Sequence, residues 1–78
     1  MQVSIKYFAS LRELIGESRT TMDIEPNSTV EELWAHIIQS REIDFDNVMM
    51  AVNTEYVKPE HKLQEGDEVA FFPPVTGG

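Results

Sequence analysis

The 78-residue sequence contains no cysteine, which excludes a disulfide framework, a thiolate metal site and a cysteine nucleophile. Its two histidines, His36 and His61, are too few and too far apart to predict a metal site. No apolar run approaches the roughly 20 residues that cross a bilayer, and the chain does not open on a basic segment followed by a hydrophobic one. We therefore predict a cytoplasmic protein that binds neither metal nor membrane.

Positive charge is also scarce, with 6 Lys and Arg against 14 Asp and Glu, for a net charge of −8. Nucleic-acid phosphates need a basic surface, so nucleic acid is excluded as a partner. The acidity either steers the protein toward basic partners or only keeps a small domain soluble. A chain of this length forms one domain, which buries about 60% of its unfolded surface and has no room for a deep catalytic cleft.

The first part of the chain shows strand and short-helix patterns. Polar and apolar residues alternate along 1–8, MQVSIKYF, which predicts a strand with one buried face. Ser10 and Glu13 have capping-box spacing, which predicts a short helix over 10–15. Residues 19–24, RTTMDI, alternate again, and we expect them to pair with the first strand. The predicted buried sides hold Val3, Ile5, Tyr7, Leu11, Leu14, Ile15, Thr20, Met22 and Ile24.

A long helix over 28–40, STVEELWAHIIQS, is the strongest pattern. Ser28 with Glu31, and Thr29 with Glu32, both fit a capping box. Apolar residues at helical spacing predict one face that covers a sheet, formed by Val30, Leu33, Trp34, Ile37 and Ile38.

Three more strands are predicted in the second half. Residues 48–52, VMMAV, indicate a buried strand in which Met49 and Met50 fill the core. A turn leads to a short strand at 56–57, and a Gly-Asp turn leads to the last strand at 68–72, EVAFF.

The parity of the first and last strands predicts an exposed aromatic cluster. Val69 and Phe71 should join the buried face of the first strand. Phe8 and Phe72 then fall on the opposite face, and they meet if the two strands are parallel and adjacent. Exposed aromatic clusters usually mark partner sites, so Phe8, Tyr56 and Phe72 are candidates for a docking patch. The alternative for Tyr56 is a half-buried residue of an edge strand.

The chain ends in FFPPVTGG, which predicts a projecting tail over 75–78 beyond a domain at 1–74. The two prolines favour an extended path away from the body. Gly77 and Gly78 have no Cβ and fit a slot too narrow for other residues. The alternative is a frayed terminus without a role.

In this order, the segments KYFASLRELIG, STVEEL, AVN, GDEVAFFPP and VTGG resemble the small, ubiquitin-like sulfur-carrier subunits of molybdopterin synthase. The resemblance covers essentially the whole chain. It implies an α+β, β-grasp fold, in which one main helix covers a mixed sheet, the first and last strands are central and parallel, and a flexible Gly-Gly tail follows.

The resemblance also implies a chemistry. An ATP-dependent activating enzyme adenylates Gly78, and a persulfide-derived sulfur displaces AMP to leave a thiocarboxylate, a strong nucleophile. The tail then enters a pocket of the large synthase subunit, in a heterotetramer, and delivers sulfur to cyclic pyranopterin monophosphate. Gly77 admits the tail, and Val75 and Thr76 line the channel. The isolated chain is expected to bind no cofactor and not to be catalytic alone.

Three alternatives stay open. A sulfur carrier for thiamine or transfer-RNA thiolation shares the fold and chemistry but differs in its acceptor, and FFPP before the tail disfavours it. A ubiquitin-like modifier forms isopeptide bonds with target lysines. A plain interaction module has an incidental terminus and loses nothing when the terminus is trimmed.

Overall fold

The computed structural model describes residues 1–41 and 48–74. They form a five-stranded mixed sheet in the order β2-β1-β5-β3-β4, in which β1 and β5 are parallel and the other neighbours antiparallel. The predicted α+β arrangement, with the first and last strands central and adjacent, is confirmed. The elements are β1 (Gln2–Tyr7), α1 (Ala9–Ile15), β2 (Arg19–Asp23), α2 (Val30–Arg41), β3 (Met49–Val52), β4 (Glu55–Tyr56) and β5 (Glu68–Phe72).

One face of the sheet is buried together with the apolar stripe of α2. Phe71 of β5 is fully buried, and its ring centroid lies 4.8 Å from that of Trp34 on α2 and 6.4 Å from that of Tyr7 on β1. The predicted parity is therefore confirmed for the strands and for the helix. Sheet and α2 residues of this core are Val3, Ile5, Tyr7, Val30, Leu33, Trp34, Ile37, Val69 and Phe71.

The start of α1 differs from the prediction. Phe8 is the N-cap residue, in an extended conformation and without a side-chain cap hydrogen bond, and Ser10 lies inside the helix. The Ser10–Glu13 capping box is therefore wrong, because the chain enters the helix directly from β1. The helix ends at Gly16, which has a φ of 89° and donates its N–H to Arg12 O at 2.9 Å.

Two apolar side chains predicted to be core residues are exposed instead. A helix of seven residues turns only a narrow stripe inward, so Leu11 and Ile15 are buried while Leu14 is 51% exposed. In β3, Met50 is buried and Met49 is 38% exposed, because successive side chains of a strand point to opposite faces.

A reciprocal capping box begins α2. The Thr29 N–H donates to Glu32 Oε1 at 2.9 Å, and the Glu32 N–H donates to Thr29 Oγ1 at 3.1 Å. The predicted Ser28–Glu31 box is wrong, since the Ser28 hydroxyl donates to Glu25 O at 2.7 Å and closes the preceding turn. Hydrogen bonds from the Thr29 backbone and hydroxyl lower the pKa of the Glu32 carboxyl.

We expect Glu32→Gln to lower the free energy of unfolding at neutral pH and to approach wild-type stability in acid. Because the folded-state pKa of Glu32 is lowered, its stabilisation is present above the ordinary value of 4.5 and is lost as the pH falls through the folded value. Urea unfolding at both pH values measures the gap. Glu31→Gln removes the same charge from the first turn of α2 without touching the cap. Equal losses in the two variants would contradict the cap assignment.

Candidate functional site

Three aromatic rings meet on the face of the sheet opposite the core. The ring centroids of Phe8 and Phe72 are 6.4 Å apart with an interplanar angle of 81°, and those of Tyr56 and Phe72 are 5.7 Å apart at 64°. Both pairs are edge-to-face contacts. Phe8 is 47% and Tyr56 70% exposed, and Phe72 is half-buried. The predicted meeting of Phe8 and Phe72 is confirmed, and Tyr56 is far more exposed than a half-buried edge residue.

Backbone pairing sets these positions. At the end of β1, Phe8 donates its N–H to Phe71 O at 3.1 Å, which places its ring beside Phe72 on the parallel β5. The turn between β3 and β4 positions Tyr56. Asn53 and Thr54 form a two-residue turn with φ values of 51° and 71°, and such a turn folds β4 back tightly against β3.

Sequence reasoning missed Met49 as a member of this surface. Met49 is the register partner of Phe72 and lies on the same face of the sheet. Strand alternation could have identified it, since only one of the two successive residues Met49 and Met50 can face the core. Together these residues form what we call the apolar patch, consisting of Phe8, Met49, Tyr56 and Phe72.

Beside the apolar patch lies a groove of about 310 Å³ between β3, β4 and the segment that follows. Met49 and Tyr56 belong to both the patch and the groove. The other lining residues are mainly apolar, so the groove suits an aliphatic or aromatic side chain of a partner. The lining is formed by Val48, Met49, Met50, Tyr56, Val57 and Pro59.

Polar contacts hold the strands under the patch in register. Asn53 Nδ2 donates to Asp67 Oδ1 at 3.0 Å, and the Glu68 N–H donates to Asn53 Oδ1 at 3.0 Å, which fastens the turn to the start of β5. On the same face as the patch, Lys6 Nζ lies 3.1 Å from Glu68 Oε1. Both side chains are partly exposed, so this ion pair contributes about 1 kcal/mol at most.

The segment that leads to the tail begins at the edge of the apolar patch. Phe72 is the last residue of β5, and Pro73 and Pro74 follow it, both partly buried. Proline cannot donate to a ladder, which explains why the strand ends here. The other predicted site residues, Val75, Thr76, Gly77 and Gly78, lie outside the described residues.

Within residues 1–41 and 48–74, no group of three or more His, Asp or Glu side chains is arranged to hold a metal ion. In the same two segments no helix has the length and apolar character needed to cross a membrane.

Comparison with known proteins gives consistent matches over the full chain. The model of the ThiS family matches residues 5–78. A molybdopterin synthase sulfur carrier subunit from Chlamydomonas reinhardtii is 40% identical, with 100% of both chains covered. A putative molybdopterin converting factor, subunit 1, from Pyrococcus furiosus superimposes with a TM-score of 0.84 at 31% identity, over 96% of this chain and 99% of that one.

Two further solved structures that match this chain are a protein complex and a small modifier protein. A complex of subunits 1 and 2 of molybdopterin-converting factor from Helicobacter pylori contains a chain that matches with a TM-score of 0.67 at 25% identity, and both chains are fully covered. The small archaeal modifier protein 1 of Haloferax volcanii matches with a TM-score of 0.79 at 26% identity, over 95% of this chain and 98% of that one.

Proposed function

Because this chain belongs to the ThiS family, we propose that it is the sulfur carrier subunit of a molybdopterin synthase. The observation that carries the proposal is the position of the apolar patch at the end of β5, from which the chain continues through two prolines toward the Gly-Gly terminus. A carrier must hold its partner with one surface while its terminus reaches the partner's active site. Here the docking surface includes Phe72, the last residue of β5, and two prolines separate that residue from the tail.

The proposed chemistry takes place at the carboxyl group of Gly78. A carboxylate resists nucleophilic attack because of its negative charge, and oxide is a poor leaving group, so activation comes from outside. Attack of the carboxylate on ATP forms an acyl adenylate and releases pyrophosphate. The outer sulfur of a persulfide donor then displaces AMP and forms an acyl disulfide. A second thiol of the donor attacks the donor's own sulfur, which forms a disulfide there and releases the thiocarboxylate. Its thiolate sulfur is the nucleophile that is delivered to cyclic pyranopterin monophosphate.

The residues of the folded domain act by binding and positioning. They dock the partner through the apolar patch and hold β5 rigidly by its pairing with β1 and β3. The active site that uses the sulfur belongs to a second protein, so the chain is a reagent presented by a scaffold. Bare backbone at Gly77 lets the terminus enter a narrow slot, which Val75 and Thr76 contact on the way in.

Two partners follow from this proposal. The first is the large subunit of the synthase, with two carriers and two large subunits in a heterotetramer, and the complex of subunits 1 and 2 from Helicobacter pylori supports a partner of this kind. The second is an ATP-dependent enzyme that adenylates and sulfurates Gly78. The carrier itself needs no bound cofactor, because ATP is consumed in the activating enzyme.

The direct test is the mass of the C-terminus. After incubation with activating enzyme, ATP and a persulfide donor, the intact mass should show one oxygen replaced by sulfur, located at Gly78 by fragmentation. A terminus that remains a carboxylate under conditions that sulfurate a known carrier would overturn the proposal.

A second candidate function is protein modification, which the likeness to small archaeal modifier protein 1 favours. A modifier uses the same adenylate but passes its terminus to a lysine amine and forms an isopeptide bond. The two functions separate in a cell extract supplied with the activating enzyme. A ladder of conjugates containing this chain supports the modifier, whereas a thiocarboxylate without conjugates supports the carrier.

We expect Phe72→Ala to weaken binding of the large subunit by about 2 kcal/mol, the usual size of an interface hot spot. Phe72 contacts both other rings of the patch, so its removal separates Phe8 from Tyr56. Isothermal titration with the large subunit measures the loss. Leu14→Ala removes an exposed apolar side chain of α1, which lies outside the patch, and should bind normally. Wild-type affinity of Phe72→Ala would show that the partner docks elsewhere.

A further inference from the structure

The edge of the sheet formed by β2 is open within the described residues. β2 lies at one end of the strand order and β4 at the other. β4 has only two residues, whereas β2 has five, Arg19–Asp23, and is long enough to pair with another strand. An edge strand of this kind presents N–H and C=O groups to any strand that fits. Thr21 O also accepts a long bond of 3.4 Å from Thr20 Oγ1, and a carbonyl oxygen has a second lone pair for a further bond.

Hydrogen bonding to β1 decides which residues of β2 face outward. Beyond the ends of the strand pair, Ile24 exchanges backbone bonds with Met1, and Tyr7 donates its N–H to Ser18 O at 3.0 Å. Bonded and non-bonded pairs alternate in an antiparallel ladder, so Thr20 and Met22 also bond to β1. The backbone groups of Arg19, Thr21 and Asp23 therefore point to the open side.

We propose that β2 is a self-association surface, through which two copies of this chain pair antiparallel about a two-fold axis at Thr21. In that register, Thr21 of one copy lies opposite Thr21 of the other, and Arg19 of each lies opposite Asp23 of its partner copy. The three residues of each strand whose backbone groups point outward therefore lie opposite the same three residues of the other copy. Every outward N–H then meets an outward C=O, as an antiparallel ladder requires.

The side chains complement one another in the same register. Arg19 and Asp23 have opposite charge, and both project from the solvent-facing side of the sheet, so two ion pairs form across the axis. The contact between Asp23 and the amine of Met1 at 3.2 Å uses one carboxylate oxygen and leaves the other free. Across the axis itself, threonine opposite threonine is a favourable cross-strand pair.

The opposite side of the strand adds apolar burial. Thr20 and Met22 are partly buried on the core side of β2. In the paired form, Met22 of each copy lies opposite Thr20 of the other, which covers side chains that the monomer leaves half-open. The result is one continuous ten-stranded sheet, with twice the five strands of the monomer.

Self-association through β2 is compatible with partner docking. Tyr56 and Met49 of the apolar patch lie on β4 and β3, at the other end of the strand order from β2. The tail leaves from β5, which is separated from β2 by β1. Each copy in the dimer therefore keeps its apolar patch accessible, and the inference does not depend on the proposed sulfur chemistry.

Amide exchange of the wild-type protein tests the register directly. Measured by NMR from about 10 μM to about 1 mM protein, at an ionic strength of about 0.15 M that screens the acidic surfaces, the exchange should change in an alternating pattern. We expect several-fold slower exchange with rising concentration at Arg19, Thr21 and Asp23. Thr20 and Met22, which bond to β1, should be slow throughout. Concentration-independent exchange at the outward three, or a change without alternation, would overturn the proposal.

Charge variants test the pairing by sedimentation equilibrium. Arg19→Asp alone and Asp23→Arg alone each place like charges opposite one another, and should dimerise about tenfold more weakly than wild type. When the two variants are mixed, the two substituted side chains face each other with opposite charge, and the unchanged Asp23 of the first variant faces the unchanged Arg19 of the second. A heterodimer of near wild-type affinity should therefore form. Thermal unfolding checks that both exposed substitutions leave the fold intact.

A backbone variant completes the test. Thr21→Pro removes an outward N–H that β1 does not use, and proline is tolerated on the free side of an edge strand. It should abolish dimerisation while leaving the monomer folded. A wild-type protein that stays monomeric at the highest concentration, or singly substituted variants that fail to associate when mixed, would refute self-association through β2.

Discussion

Deletion of Gly77 and Gly78 should abolish sulfur delivery and leave both folding and partner binding nearly unchanged. The deletion shortens an extended tail by roughly 7 Å, at about 3.3 to 3.6 Å per residue, which takes the reactive carboxyl out of bond-forming range. Folding should be unaffected because, among the described residues, the buried core cluster runs from Val3 to Phe71 and so precedes the deleted residues. Docking should largely survive because the apolar patch remains.

Three measurements on the truncated chain check this result, namely thermal unfolding, affinity for the large subunit and thiolation of the pterin substrate. Gly77→Val is the matched variant, since it keeps the tail length and the terminal carboxylate but adds a branched side chain. It should share the phenotype of the truncation if the slot admits only bare backbone. Thiolation by the truncated chain would refute the carrier function, whereas thiolation by the valine variant alone would refute only the narrow slot.

Phe71→Ala should lower the free energy of unfolding by about 3 to 5 kcal/mol, the usual cost of removing a buried phenylalanine ring. Phe71 is fully buried and packs against Trp34 of α2 and Tyr7 of β1, so the cavity would lie where the helix meets the sheet. A loss of this size is a large fraction of the stability of a small domain.

Phe72→Ala is the matched control, because it removes the same side chain from the next position of the same strand. Phe72 lies on the outer face, so its loss should cost far less stability than the loss of Phe71. Urea unfolding of both variants measures the difference. Equal destabilisation would show that the two faces of β5 are not the buried and exposed faces that the structure describes. The two variants also distinguish an effect on folding from an effect on docking, since Phe72→Ala should fold well and bind the large subunit poorly.

Periodicity along the chain was enough to predict β1, β2, β5, the long helix and the buried faces of β1 and β5. β1, β5 and α2 each bury a regular stripe, and a regular stripe leaves a clear pattern in the sequence. The parity of Phe8 and Phe72 was predictable for the same reason, because a strand has only two faces. Their contact needed one further assumption, that β1 and β5 are parallel neighbours, and this came from the resemblance to the sulfur carriers.

Where the sequence offers more than one N-cap residue, contacts in the folded structure decide which residue caps the helix. Both Ser28 and Thr29 match an N-cap, and only Thr29 caps α2, because the Ser28 hydroxyl bonds to Glu25 O. Ser10 also matches an N-cap motif, yet α1 starts directly from β1 with Phe8 as its N-cap residue. A capping motif records which side chain is able to cap, whereas the path of the chain into the helix decides which one does.

The sequence by itself determined the class of fold and the amphipathic elements. The tertiary structure alone decided which apolar residues stay outside, since Met49 and Leu14 are as hydrophobic as their buried neighbours and differ only in the direction in which they point. It also decided that Arg19, Thr21 and Asp23 face an open edge. Burial and edge position depend on contacts between distant segments, and no single segment encodes them.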